Sequence, residues 1–198
     1  MPDMPMQQSP THQPPTPRDT GRLVLLFAAM LLHGYSAGEV GVVLLDVAQE
    51  FSLPPGQMGS FISLRFIGAI AANILMLLLA SRTNARRNLF VGETLQILGA
   101  AALLLPATLA MEGSFAAAVI RGAATGMILP SINALVARWF PASRGRTMSL
   151  VHSVFGLGLI LPALVSAGID AMGLGWRNVW LLPSLFNAAI AIGVILAA

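Results

Sequence analysis

Six long apolar stretches, separated by short polar breaks, constrain this chain more than any other feature. They run over Leu23–Leu45, Met58–Ala80, Leu89–Met111, Phe115–Ala137, Thr147–Ile169 and Asn178–Ala198. A helix of about 20 apolar residues crosses the roughly 30 Å hydrocarbon core of a bilayer while satisfying its own backbone. The pattern predicts an all-α membrane protein with six transmembrane helices in a lipid bilayer. Charged residues are 10% of the chain, where a soluble domain carries about 25%. The breaks "SLPPGQ", "EGS", "WFPASRGR" and "GLGWRN" have turn chemistry. The first twenty residues, six of them proline, read as a disordered cytoplasmic tail (1–20), leaving 21–198 as the six-helix domain.

All eleven basic residues are arginine, scattered through short loops rather than gathered in a patch, so the high pI implies no nucleic-acid partner. Arg18, Arg22, Arg82, Arg86, Arg87, Arg138, Arg144 and Arg146 flank the spans on one side, and Arg177 alone flanks them on the other. By the positive-inside rule both termini are expected in the cytoplasm, with the chain multi-pass in the plasma (inner) membrane. Cysteine is absent, and His12, His33 and His152 are too scattered for a metal triad. No metal site or cofactor is expected. Gly-x-x-x-x-Gly-Lys-Ser/Thr and Gly-x-Ser-x-Gly are both missing, and His152 and Ser153 point about 100° apart on a helix. Neither ATP hydrolysis nor an intramembrane hydrolase is supported, and the chain is not read as an enzyme.

Three charges fall inside spans, where each costs on the order of 3 kcal/mol unless it faces protein or water. Counted at about 1.5 Å per residue from the Arg-poor ends, Glu39, Arg65 and Arg121 lie at one level, about 9–10 Å deep. Pairing among them would lower the insertion cost and leave one net positive charge. His33, flanked by Gly34 and Tyr35, is near mid-depth in the first span, and the unperturbed pKa of an imidazole, near 6.5, suits proton exchange. Glu93 and Gln96 on the third span are expected to be structural. His152 and Asn133 are expected nearer the Arg-rich side, where an inner vestibule would lie.

Shifted by 89 residues, the chain aligns with itself at Val47/Val136, Ala48/Ala137, Phe51/Phe140, Gly56/Gly145, Ser60/Ser149 and Phe66/Phe155. A three-helix repeat is odd, so the second unit would sit inverted in the membrane, a recurrent transporter construction. "RGAATGMILPSINALVARWFPASRGR", "GLGWRNVW" and "AQEFSLPPGQMGSF" then carry a resemblance in their order and spacing. Over residues 20–198 the chain resembles the amino-terminal six-helix half of the major facilitator superfamily of secondary transporters. Arg121, Gly126, Pro130, Trp139, Phe140, Pro141 and Arg144 fit that family's fourth helix and following loop. Gly175, Trp176 and Arg177 resemble the start of its sixth helix. Where the family usually has Gly-x-x-x-Asp-Arg-x-Gly-Arg-Arg between helices two and three, "LLLASRTNARRN" keeps Arg86 and Arg87 without the Asp or the glycines.

The resemblance implies secondary active transport of a small solute by alternating access, with the solute and a possible coupling proton meeting Arg121, Glu39, Arg65 and His33. It puts helices one and four beside the cavity, with Arg121 facing it. Gly34, Gly38, Gly126, Pro130, Gly156 and Gly158 are expected to shape close helix contacts, and Arg86, Arg87 and Arg144 to serve cytoplasmic gate loops. Because the family's cavity lies between two halves, the expected partner is a second six-helix half or a homodimer mate. The alternative is a truncated or non-transporting membrane interaction protein. Leu161 stands where a glycine would precede Pro162 in the family's drug/proton antiporters, so drug export is not inferred.

Overall fold

The computed structural model describes residues 16–197, the side chain of Ala107 excepted. Among them are six helices and no strand: α1 Pro17–Glu50, α2 Pro55–Leu78, α3 Ala85–Ala101, α4 Ala110–Trp139, α5 Arg144–Ala171 and α6 Arg177–Leu196. α1 begins at Pro17, inside the stretch read as tail; residues 1–15 of that reading lie outside the described residues. Its start is a capping box. Thr16 accepts from the Asp19 backbone N–H, the Asp19 carboxylate accepts from Thr16, and Pro17 occupies a position that needs no donor.

Five helices are long and apolar enough to cross a membrane; α3, at 17 residues, is shorter. It continues as a 3-10 turn at Ala102–Leu104 and stops at Pro106, with Leu105 extended (φ −60°, ψ 151°). Proline lacks an N–H and pushes its predecessor out of the helical region. The third span therefore does not reach Met111, which belongs to α4. "EGS", expected to be a break, lies within the first turns of α4. Pro106 ends a helix here rather than kinking one.

α1 packs along α5, and α4 along α2. Exchanging the two three-helix units maps one contact onto the other, as an inverted repeat requires. Both contacts are glycine-lined. A Cβ on Gly34 would run into the carbonyl oxygen of Phe155, and one on Gly158 into that of Leu31. On the other pair, Gly122 meets the Arg65 carbonyl and Gly126 that of Ala69. Gly38 lies against Leu159 and Pro162 in the same way, but Gly156 does not belong to this set. It is exposed, with nothing within 4 Å of where its Cβ would be, because it sits on the opposite face of α5 from Gly158. Pro130 lies within α4, partly buried.

The helices enclose two apolar cores. Near the Arg-poor ends, Tyr35, Val43, Val47, Phe61, Trp176 and Trp180 pack together. Toward the Arg-rich ends, Leu26, Met30, Leu89, Ile128, Leu135 and Val151 form the second. At the Arg-poor surface Glu50 joins α1 to α6, accepting from both Arg177 Nη atoms and from Trp176 Nε1, each at 2.7 Å. Arg177's hydrogen bonds, with Trp176's, hold the Glu50 carboxyl below its ordinary value. This tie is present above the usual glutamate range near 4.3 and is lost as pH falls through the lowered value.

Half of the apolar window of α1 and of α4 is buried within the chain, but only 22% of that of α2 and 17% of that of α5. Exposed side chains such as Ile67, Ile70, Leu77, Leu157, Ile160 and Leu164 need lipid or another apolar partner as their surroundings. The two ends of the bundle should be distinguishable in cells. Cysteines replacing Ser81 and Met111, both exposed, are expected to react with an impermeant maleimide from opposite sides, Met111→Cys from outside. Labelling of Ser81→Cys from outside would reverse the orientation.

Candidate functional site

Between the two apolar cores lies a layer of polar side chains. Glu39 of α1 is fully buried, Arg121 of α4 is 1% exposed and Arg65 of α2 is 7% exposed. The helices extend beyond the apolar stretches at their Arg-poor ends. Each residue is about 15–17 Å from the Arg-poor end of its helix.

Both arginines address the same carboxylate oxygen. Arg121 Nε donates to Glu39 Oε1 at 3.0 Å, and Arg121 Nη2 is paired with that oxygen as well. Arg65 Nη1 donates to it at 3.4 Å. Oε2 of Glu39 is buried and has no hydrogen-bond partner. Arg65 Nη2 is further held by the Ser36 carbonyl, by Ser36 Oγ at 3.0 Å and by Thr125 Oγ1 at 3.5 Å. Arg121 Nη1 donates to the Gln96 carbonyl at 3.2 Å, and its guanidinium carbon lies 5.1 Å from the centre of the Trp180 ring. Cation–π contact of this kind replaces part of the hydration a buried guanidinium gives up.

Ser36 and Gln96 complete the layer. Gln96 Nε2 donates to Ser36 Oγ at 3.1 Å, and Ser36 Oγ reaches Glu39 Oε1 at 3.2 Å. Ser36 was not singled out in the sequence, although it stands one helical turn before Glu39, a spacing that lets the two side chains meet. Gln96, read as a structural residue, lies in direct contact with the charged group. Glu93, one turn from it, is fully buried and accepts from Asn187 Nδ2 at 2.6 Å, tying α3 to α6.

The structure thus brings Glu39, Arg65 and Arg121 together and leaves His33 apart. The His33 ring is buried against Phe155 of α5, centroids 5.5 Å apart. His152 Nε2 pairs with Asn133 Oδ1 at 3.3 Å, linking α5 to α4 at an exposed position. Arg121 is buried, with Gln96 of α3 and Trp180 of α6 against it, whereas Arg65 of the largely exposed α2 is held by Ser36 of α1 and Thr125 of α4. Arg86 and Arg87 lie in the first turn of α3, and Arg144 is the first residue of α5, so none is in a loop. Arg86 Nη2 donates to the carbonyls of Val194 and Ile195 at 3.0 and 3.1 Å, capping the end of α6.

Residues 26–198 match the family model of the Major Facilitator Superfamily. The chain belongs to that superfamily. It is 25% identical over 172 residues to the probable anion transporter 4, chloroplastic, of Oryza sativa subsp. japonica, covering 86% of this chain and 28% of that one. It is 29% identical over 156 residues to the niacin transporter NiaP of Acinetobacter baylyi, covering 78% and 35%. The chain spans about a third of the length of the curated relatives it matches. A crystal structure of the peptide transporter POT in complex with sulfate superposes with a TM-score of 0.70 at 21% identity, over 88% of this chain and 37% of that one. That likeness is one of fold, a membrane-spanning helical bundle of the superfamily.

Two guanidiniums around one carboxylate give the removal of each group a different cost. Losing Glu39 leaves two buried cations uncompensated, while losing Arg65 leaves a balanced pair. Glu39→Gln is expected to cost about 3–5 kcal/mol of stability and Arg65→Gln clearly less, read as melting temperatures in neutral detergent. Equal losses would show that the carboxylate is not what neutralises the layer.

Proposed function

We propose that the chain forms the amino-terminal half of a secondary transporter that moves a small anionic solute by alternating access. Arg65 is its solute-facing cation, Arg121 the anchor of Glu39, and Glu39 the carrier of a coupling proton. The observation that carries this reading is the buried excess of one guanidinium over the available carboxylate. A guanidinium keeps its proton, so the layer holds one net positive charge as long as Glu39 is ionised. An anion placed against Arg65 would balance it. The relatives' printed names, anion and niacin transporters among them, support this class.

Proton coupling follows from the same count. A proton on the unpartnered Oε2 of Glu39 would raise the net charge of the layer from one to two. Proton and anion would then favour each other's binding, as reciprocal linkage requires. The two glycine-lined contacts, α1 on α5 and α4 on α2, let units of the bundle move as packed pairs while the layer stays between them. The exposed faces of α2 and α5 are where a second six-helix half, or a second copy, would close the cavity. Arginine asymmetry supports cytoplasmic termini, and the reading places the protein in the plasma membrane.

The test uses proteoliposomes containing the chain with its second half, and labelled nicotinate and phosphate as probes. An acidic exterior is expected to drive uptake of at least one of them. Arg65→Gln should lower that uptake at least about tenfold at unchanged amounts of folded protein, with no loss of the α1–α4 pairing. Arg121→Lys keeps the charge but loses the planar fork, and partial activity is expected. Full uptake by Arg65→Gln would contradict the assignment, and full transport by a strict monomer of this chain would contradict the two-half arrangement.

A further inference from the structure

At the Arg-rich end of the bundle, the ends of α1, α3, α4 and α6 enclose a cleft of about 710 Å³. Five arginines line it: Arg18 and Arg22 from α1, Arg86 and Arg87 from α3, and Arg138 from α4. Among the described residues no aspartate or glutamate side chain lines it. The arginines are set in place by the fold. Arg22 lies over the Trp139 ring at 5.0 Å, with Asp19 3.9 Å from its Nη1, and Arg86 is fixed by the two carbonyls at the end of α6. In both, the Nε atom is buried and has no hydrogen-bond partner. A cleft walled by five arginines, with no acidic side chain on it, calls for an anion.

A second cavity adjoins the first. A groove of about 620 Å³ runs between α1 and α6, lined by Val24, Leu25, Ala28, Leu32, Phe186 and Ile190 among others. Arg18, Arg22 and Ala197 line both cavities, so the groove opens directly from the cleft. Gly21 and Gly193 contribute no side chain to its walls. From Gly21 to Leu32 it extends about 16 Å along the axis of α1, half of a hydrocarbon core of roughly 30 Å and thus the depth of one leaflet.

We propose that cleft and groove together form a binding site for one anionic phospholipid, with the phosphate headgroup among the arginines and an acyl chain along α1 and α6. Charge complementarity selects the headgroup, and the continuous apolar groove at leaflet depth selects a lipid over a free phosphate. Basic pockets between transmembrane helices on the Arg-rich side recognise such headgroups. The site is separate from Glu39, Arg65 and Arg121, none of which lines either cavity, and the inference does not rest on the transport reading. A lipid seated there would tie the end of α6 to α1, α3 and α4.

Native mass spectrometry of the purified chain in neutral detergent tests this by counting bound lipid during titration. Dioleoyl phosphatidylglycerol is expected to bind with one-to-one stoichiometry, at least about tenfold more tightly than dioleoyl phosphatidylcholine, and to resist displacement by millimolar inorganic phosphate. Arg87→Gln combined with Arg138→Gln, both at exposed positions, should weaken it about thirtyfold, roughly a factor of five for each charge. Ala189→Phe, on the groove wall, should weaken the lipid several-fold with both arginines in place. Equal affinity for the two lipids would leave only a greasy groove, and displacement by inorganic phosphate would make this a free-anion site. Unchanged phosphatidylglycerol affinity in the arginine variant would likewise overturn the proposal. The lipid comparison on the unsubstituted protein stands even if a variant fails to fold.

Discussion

One carboxylate oxygen organises the middle of this protein. Glu39 Oε1 receives donors from α2 and α4 while its own helix, α1, runs through the centre of the bundle. Without it, two guanidiniums would be buried inside the bundle with only neutral acceptors around them. Such a layer is strained by design, because apolar residues of similar volume would pack at lower cost. Its position between two apolar cores makes it the polar seam of an otherwise greasy bundle.

The seam also orders the helices around it. α2 and α4 must come close for Arg65 and Arg121 to share an oxygen, and Gly122, set against the Arg65 carbonyl, allows that approach. α3 and α6 supply the outer wall through Gln96 and Trp180. What remains open is the face of α2 and α5. A site with spare positive charge thus lies close behind the least covered surface of the chain, an arrangement suited to passing an anion across an interface between two bundles.

Most of the helical layout was legible because it depends on a single variable, the length of apolar stretches, and charge exclusion from lipid is severe. The level shared by Glu39, Arg65 and Arg121 was legible for the same reason: a charge in such a stretch needs a partner, and rise per residue places it. Details that depend on facing were not. The burial of Arg121 depends on Trp180, distant in sequence, and Gln96 was read as structural although its backbone and side chain meet the polar layer. Gly156 differs from Gly158 only in helical phase, which spacing alone does not resolve when neither neighbour is charged. Pro106 falls within the apolar run Leu89–Met111, whereas Leu105 takes an extended conformation and the chain turns there.

The account stands on Glu39 being the common partner of both arginines, with Arg121 the tighter of the two. A double-mutant cycle measures this directly, using Glu39→Gln, Arg121→Gln and Arg65→Gln singly and in pairs, with unfolding free energies in neutral detergent. The coupling between Glu39 and Arg121 should exceed about 1 kcal/mol and should be larger than that between Glu39 and Arg65. Two independent donors to one oxygen on the Arg121 side, against a single 3.4 Å contact on the other, set that order. Additive effects, with coupling near zero for both pairs, would contradict the account.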